Sequence, residues 1–124
     1  MAFYSRNFAK VGQSKAQVER KDRSMIDWRK VKELHNEIGH DDFGEVVDLF
    51  LTEVEEMIDA LKNSSSNTNP EEAAHFLKGC ALNLGFRKFS DLCQTAEVSA
   101  GKGESIDLEE IFACYDVTKS EFLA

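Results

Sequence analysis

Apolar residues recur at intervals of three and four along most of the chain. After "RKDRSMI", the positions Trp28, Val31, Leu34 and Ile38 fall on one face of "WRKVKELHNEI", with Asp27 placed to cap its start and Gly39 to stop it. Asp41 or Asp42 is expected to cap the next helix. In "FGEVVDLFLTEVEEMIDALKN" a broad stripe of Val46, Val47, Phe50, Val54, Met57, Ile58 and Leu61 opposes Glu45, Asp48, Glu53, Glu55, Glu56 and Asp59. The stretch "SSSNTNP" then breaks the pattern with polar turn formers. Asn69 caps a third helix, Pro70 suits its first position, and Glu71 and Glu72 face the positive end of its dipole. Gly85 interrupts that helix. A further period from about Arg87 to Ala100 turns Phe89, Leu92, Cys93 and Ala96 inward before "GKG", and "IDLEEIFACYDVTKSEFL" repeats the pattern with Leu108, Ile111, Phe112, Tyr115 and Phe122. No segment alternates as a strand would. The strong helices and their short loops predict an all-α fold, an antiparallel four-helix bundle over residues 25–124, with residues 1–24 as a basic leader or an extra helix.

At 124 residues the chain suffices for one domain with a modest core. No apolar run approaches the roughly 18–20 residues that cross a bilayer, and the opening residues lack a continuous apolar stretch of the secretory kind, so a cytoplasmic protein without membrane contact is expected. Cys80, Cys93 and Cys114 form no CxxC pair; their odd number fits a reducing compartment and small apolar fillers better than a disulfide framework. Charge is divided unevenly. Residues 1–24 carry six Lys/Arg against two acidic residues, net +4, which leaves −12 on the remainder to make the overall −8. An acidic body repels phosphate backbones, which argues against nucleic acid as a partner.

The stretch "AAHFLKGCALNLGF", residues 73–86, is where chemistry enters. At about 100° per residue, and taking His75 as zero, Gly79 falls at about 40°, Leu82 at about −20°, Lys78 at about −60°, and Phe86, if the helix reaches it, at about 20°. Ala73, Phe76, Leu77, Cys80, Ala81 and Leu84 occupy the opposite, core-facing side. His75 therefore points outward. A glycine inside a helix costs about 1 kcal/mol relative to alanine, and a reason for accepting that cost at Gly79 is space for a large reactant beside the imidazole. An exposed imidazole next to the Lys78 ammonium, with no carboxylate in the local motif, suits nucleophilic attack on an electrophilic phosphoryl group, the cation stabilising the charge that arrives. There is no P-loop, no GxGxxG and no carboxylate cluster for Mg²⁺ near His75, so the chain is expected to use no ATP and no cofactor of its own. The phosphoryl group and the Mg²⁺ would come from a partner.

These residues match a known pattern. "AHFLKGCALNLG" resembles the H-x-L-K-G-S/A-x-x-x-L-G motif of histidine-containing phosphotransfer (HPt) domains, and "IGHDDFGEVVDLFLTEVEEMIDAL" is similar to the helix that precedes it in that family; the resemblance covers roughly residues 25–120. It implies a monomeric four-helix bundle whose exposed histidine shuttles a phosphoryl group to and from the aspartate of response-regulator receiver domains, supplied at the head of the relay by a sensor histidine kinase, which is often a hybrid. His75 would then be the phosphorylated residue, Lys78 the electrostatic aid, Gly79 the clearance and Gly85 the tight turn between two helices. The chain departs from the pattern at Cys80, where serine is common, and at Glu97, where some members have glutamine. Glu97, twenty-two residues after His75, is expected to be an ordinary solvated helix residue; the alternative is a carboxylate that faces His75, where it would repel a phosphoryl group.

Leu82 and Phe86 are expected to form an apolar patch on which a receiver docks, with a turn back into the core as the alternative for either, above all for Phe86 beside Gly85. His35 and His40 read as surface or helix-end residues. A zinc site at His75 is disfavoured, since Cys80 lies five positions on and about 140° around the helix. The rival from another class is a helical adaptor that binds a signalling partner without chemistry. It would need no nucleophile, which counts against it.

Overall fold

The computed structural model describes residues 25–63 and 67–124, and the leader or extra helix expected over 1–24 lies outside the described residues. Five helices and no strand occur among the described residues: α1 (Trp28–Ile38), α2 (His40–Lys62), α3 (Pro70–Leu84), α4 (Arg87–Gly101) and α5 (Leu108–Leu123). The fold is all-α, as the periodicity predicts.

Local chemistry sets most of the helix ends. Asp27 Oδ1 accepts from the amides of Arg29 and Lys30, and Asn69 Oδ1 from those of Glu71 and Glu72, so two helix starts carry the side-chain caps expected of them. The start of α2 is different. Gly39, at φ +98°, turns the chain in a single residue, so α2 begins directly at His40. Asp41 and Asp42 are therefore not caps; they lie in the first turn, where their charge complements the helix dipole.

Helices α2 to α5 form a ring of antiparallel neighbours. Across α3 and α4 the pairing runs in opposite directions, with His75 opposite Glu97 and Lys78 opposite Gln94. The ring closes between α2 and α5, where the Tyr115 hydroxyl donates to Glu55 Oε2 at 2.7 Å, Lys119 Nζ reaches the same oxygen at 2.5 Å, and Lys62 lies over the Phe112 ring. Within α2 the buried stripe is Phe43, Val47, Leu51, Val54 and Ile58, whereas Phe50, Met57 and Leu61 are only partly covered. Helix α1 packs against both α2 and α3.

Aromatic rings fill the end of the bundle near the α3–α4 turn. Phe86 and Phe89 are completely buried; Phe86 meets Phe122 edge-on at 5.3 Å, Phe89 lies 5.3 Å from Tyr115, and Trp28 of α1 stacks on Phe122 at 6.0 Å. Truncating either buried phenylalanine should cost about 3–5 kcal/mol. Gly85 is held at φ +77°, with its carbonyl accepting from the Asp27 amide at 2.7 Å, and a Cβ placed on it would lie 2.7 Å from the Asp27 carbonyl oxygen. Only glycine fits both the left-handed turn and the close approach of α1. One residue thus ends α3, opens the way to α4 and seats α1.

Candidate functional site

The outer face of the α3–α4 hairpin brings together side chains that are far apart in sequence. His75 projects from the second turn of α3 with its side chain 70% exposed, and its Nδ1 lies 2.9 Å from Glu97 Oε2 on α4. The other carboxylate oxygen of Glu97, Oε1, is 2.8 Å from Lys78 Nζ, and that ammonium donates to Gln94 Oε1 at 2.8 Å. Glu97 Oε1 is itself shielded from water and meets Lys78 as a charge contact rather than an aligned hydrogen bond. Lys78, one turn beyond His75, thus bridges back to α4 through Glu97 and Gln94.

The expectation for Glu97 is corrected by this geometry: it is no ordinary solvated residue, and it faces His75. The reason is the register of the hairpin. His75 and Glu97 are each eleven residues from Phe86 at the turn, Lys78 and Gln94 are each eight, and Glu71 and Gly101 are each fifteen. Residues equidistant from the turn of an antiparallel helix pair face each other, and at the last of these pairs a Cβ on Gly101 would sit 3.0 Å from Glu71 Oε2. A carboxylate missing from the local H-x-x-K-G stretch is supplied from the following helix.

The charges decide the protonation pattern. Lys78, and after it His75, hold the Glu97 carboxyl below the usual carboxylate range against the opposing effect of burial, so at neutral pH Glu97 is an anion. An anion accepts only, so the proton of the Nδ1 contact sits on His75. The Nε2 lone pair of a neutral imidazole is then left outside the hydrogen-bond network. That is the arrangement of a solvent-facing nitrogen nucleophile with a cation close by.

The remaining expected site residues separate into two groups. Gly79 is exposed, and no atom outside its own helix backbone lies within 4 Å of a Cβ placed there, so packing does not require glycine and the residue leaves a gap one turn beyond His75. Leu82 stands 55% exposed on the same helix, above a shallow groove lined by Asp27, Lys30, Gly85 and Arg87. Phe86 is a correction. Helix α3 ends at Leu84, so the helical angle that would align Phe86 with His75 never applies; Phe86 precedes α4, fully buried among Tyr115 and Phe122, and cannot contact a partner.

Elsewhere, His35 Nε2 lies 3.4 Å from His40 Nδ1 across the α1–α2 corner, and the His35 ring packs on Phe43. Cys80, Cys93 and Cys114 are free and buried. No three His, Cys, Asp or Glu residues converge as a metal site among the described residues.

The antiparallel helical bundle thus presents an outward histidine on α3, latched to a carboxylate and flanked by a lysine. A protein-family model described as the Hpt domain matches residues 45–120, more than half of the sequence, and the chain belongs to the Hpt domain family. No curated protein and no solved structure matches it significantly. Membership indicates histidine phosphotransfer in phosphorelays. Among the described residues no helix is long and apolar enough to cross a membrane.

Proposed function

We propose that this chain carries phosphoryl groups on His75 Nε2, accepting them from and returning them to the aspartates of response-regulator receiver domains in a relay headed by a sensor histidine kinase. The observation that carries the reading is the outward His75 ring with its Nδ1 engaged by Glu97. Loading is an attack of the Nε2 lone pair on phosphorus, with the P–O bond to the donor aspartate breaking and its electron pair leaving on that carboxylate. Lys78 stabilises the phosphoryl charge as it arrives, Gly79 leaves room for the donor, and Leu82 supplies apolar contact to the docked receiver. The Mg²⁺ that assists belongs to the receiver. The chain works as a cytoplasmic monomer, and its interfaces are small and transient, because a carrier must release each partner after transfer.

A chase experiment tests the reading. Label from a phosphorylated receiver should pass onto the chain as acid-labile, base-stable phosphate, then leave onto a second, unlabelled receiver. A folded protein that takes no label from any receiver, nor from a sensor kinase with ATP, would support the adaptor reading instead.

A further inference from the structure

We propose that His35 and His40 together form a binding site for a zinc ion at the corner between α1 and α2. The site shares no residue with the surroundings of His75, and the inference is independent of the phosphoryl reading.

One residue builds the corner. Gly39, at φ +98°, ends α1 and opens α2 without a connecting loop, so the last turn of α1 and the first residue of α2 come side by side. His35 Nε2 then lies 3.4 Å from His40 Nδ1, with the ring centroids 5.6 Å apart and the planes inclined at 61°. His35 is half-buried, and its ring packs at 4.8 Å on the buried ring of Phe43, which fixes its direction. His40 is exposed and brings the second nitrogen to the first. One ligand is held in place and the other can adjust.

The separation of the two nitrogens suits a metal ion better than a shared proton. Hydrogen bonds from nitrogen donors cluster at about 2.7–3.2 Å, so the contact is long for one. Zinc–nitrogen bonds of about 2.0–2.1 Å meeting at the tetrahedral angle put two nitrogens about 3.3–3.4 Å apart. Neighbouring positions of a square-planar ion would need about 2.8–2.9 Å, which favours zinc over copper or nickel. Magnesium and calcium take oxygen ligands and do not suit a pair of imidazoles.

Ligation needs only a change of tautomer. Both rings bind as neutral imidazoles with their protons on the remote nitrogens, Nδ1 of His35 and Nε2 of His40, so no proton is gained or lost. Among the described residues no three His, Cys, Asp or Glu converge, so the chain gives two ligands and water completes the tetrahedron on the solvent side. Two electrostatic features favour a cation here. His35 lies in the last turn of α1, at the negative end of its dipole, and residues 25–124 carry the −12 that remains when the +4 of the first 24 residues is taken from −8 overall. The consequence is mechanical. The start of α1 is already pinned by the Asp27 amide, which donates to the Gly85 carbonyl at 2.7 Å, and the ion fastens its other end to α2.

The test uses the full ¹⁵N-labelled chain, stripped with a chelator and titrated with zinc chloride at neutral pH in a buffer that does not bind the metal. Calorimetry should give one zinc per chain with a Kd of about 1–100 µM, since two protein ligands hold the ion more weakly than the four of a structural site. The ¹⁵N signals of His35 Nε2 and His40 Nδ1 should shift, and the melting temperature should rise with zinc but not with magnesium. His40→Gln, which changes an exposed side chain, should weaken binding at least tenfold and remove the rise in melting temperature while circular dichroism stays the same. Zinc that shifts His75 in place of the pair, equal affinity in wild type and His40→Gln, or no saturable binding up to millimolar zinc would each overturn the inference. None of these results would bear on His75 as the phosphoryl acceptor.

Discussion

An imidazole on an open helix face has no fixed choice of which nitrogen carries its proton. At His75 the choice is made by Glu97, and the residue-scale account turns on the 2.9 Å contact between them. The neighbouring residues divide into those the fold needs and those it does not. Gly79 belongs to the second kind, since a methyl group there meets nothing. Gly79→Ala should therefore raise thermal stability by up to about 1 kcal/mol through helix propensity alone. A bulkier Gly79→Leu should leave the helical content unchanged and slow transfer from receivers; rapid transfer in that variant would show that the gap beside His75 has no use. Lys78→Ala should slow transfer by about tenfold to a hundredfold without abolishing it, read from single-turnover rates, because it removes one charge from the site and leaves the nucleophile in place.

At the scale of elements, the α3–α4 hairpin is the unit that assembles the site, and Gly85 is its pivot. Gly85→Ala should destabilise the protein by about 2 kcal/mol or more, as a shift in denaturation midpoint. The replacement meets both a left-handed φ and the Asp27 carbonyl at 2.7 Å. The helices and most of their caps were legible in the sequence, because period, Asp27, Asn69 and Pro70 are local signals. The outward face of His75 was legible for the same reason. The position of Glu97 was marked only by the family resemblance, and its contact with His75 was not legible, since that depends on the register of two helices about a turn. The register could have been found by counting outward from the turn, once α3 was ended at Leu84 and not extended. The same early end removes Phe86 from the patch expected beside Leu82 and gives it to the core.

Across the whole molecule, the ring of four helices is closed by a polar contact on the α2–α5 side. Lys119 and Tyr115 lower the Glu55 carboxyl below its ordinary 4.5, and burial with Glu55 beside it pushes the Tyr115 hydroxyl up, so the pair is a carboxylate accepting from a neutral phenol at neutral pH. A depressed carboxyl contributes stability that is present above pH 4.5 and is lost as pH falls through its lower folded value. The difference in melting temperature between wild type and Glu55→Gln should therefore shrink on acidification below that point. The three buried thiols make a second prediction at this scale. Burial, with smaller effects from Cys114 and Cys80, pushes Cys93 up to about 12, and burial raises the other two. A thiol reagent at mildly alkaline pH should modify none of the three until the bundle is unfolded. The proposed function asks of this bundle that it hold the His75 ring in the open.

The most direct test of that description is single-turnover transfer from a phosphorylated receiver domain to wild type and to His75→Gln, with both proteins shown by circular dichroism to be folded. We predict label on wild type, mapped to His75, and none on His75→Gln. Label of equal amount on His75→Gln would contradict the assignment of the nucleophile and, with it, the role given to every residue around that ring.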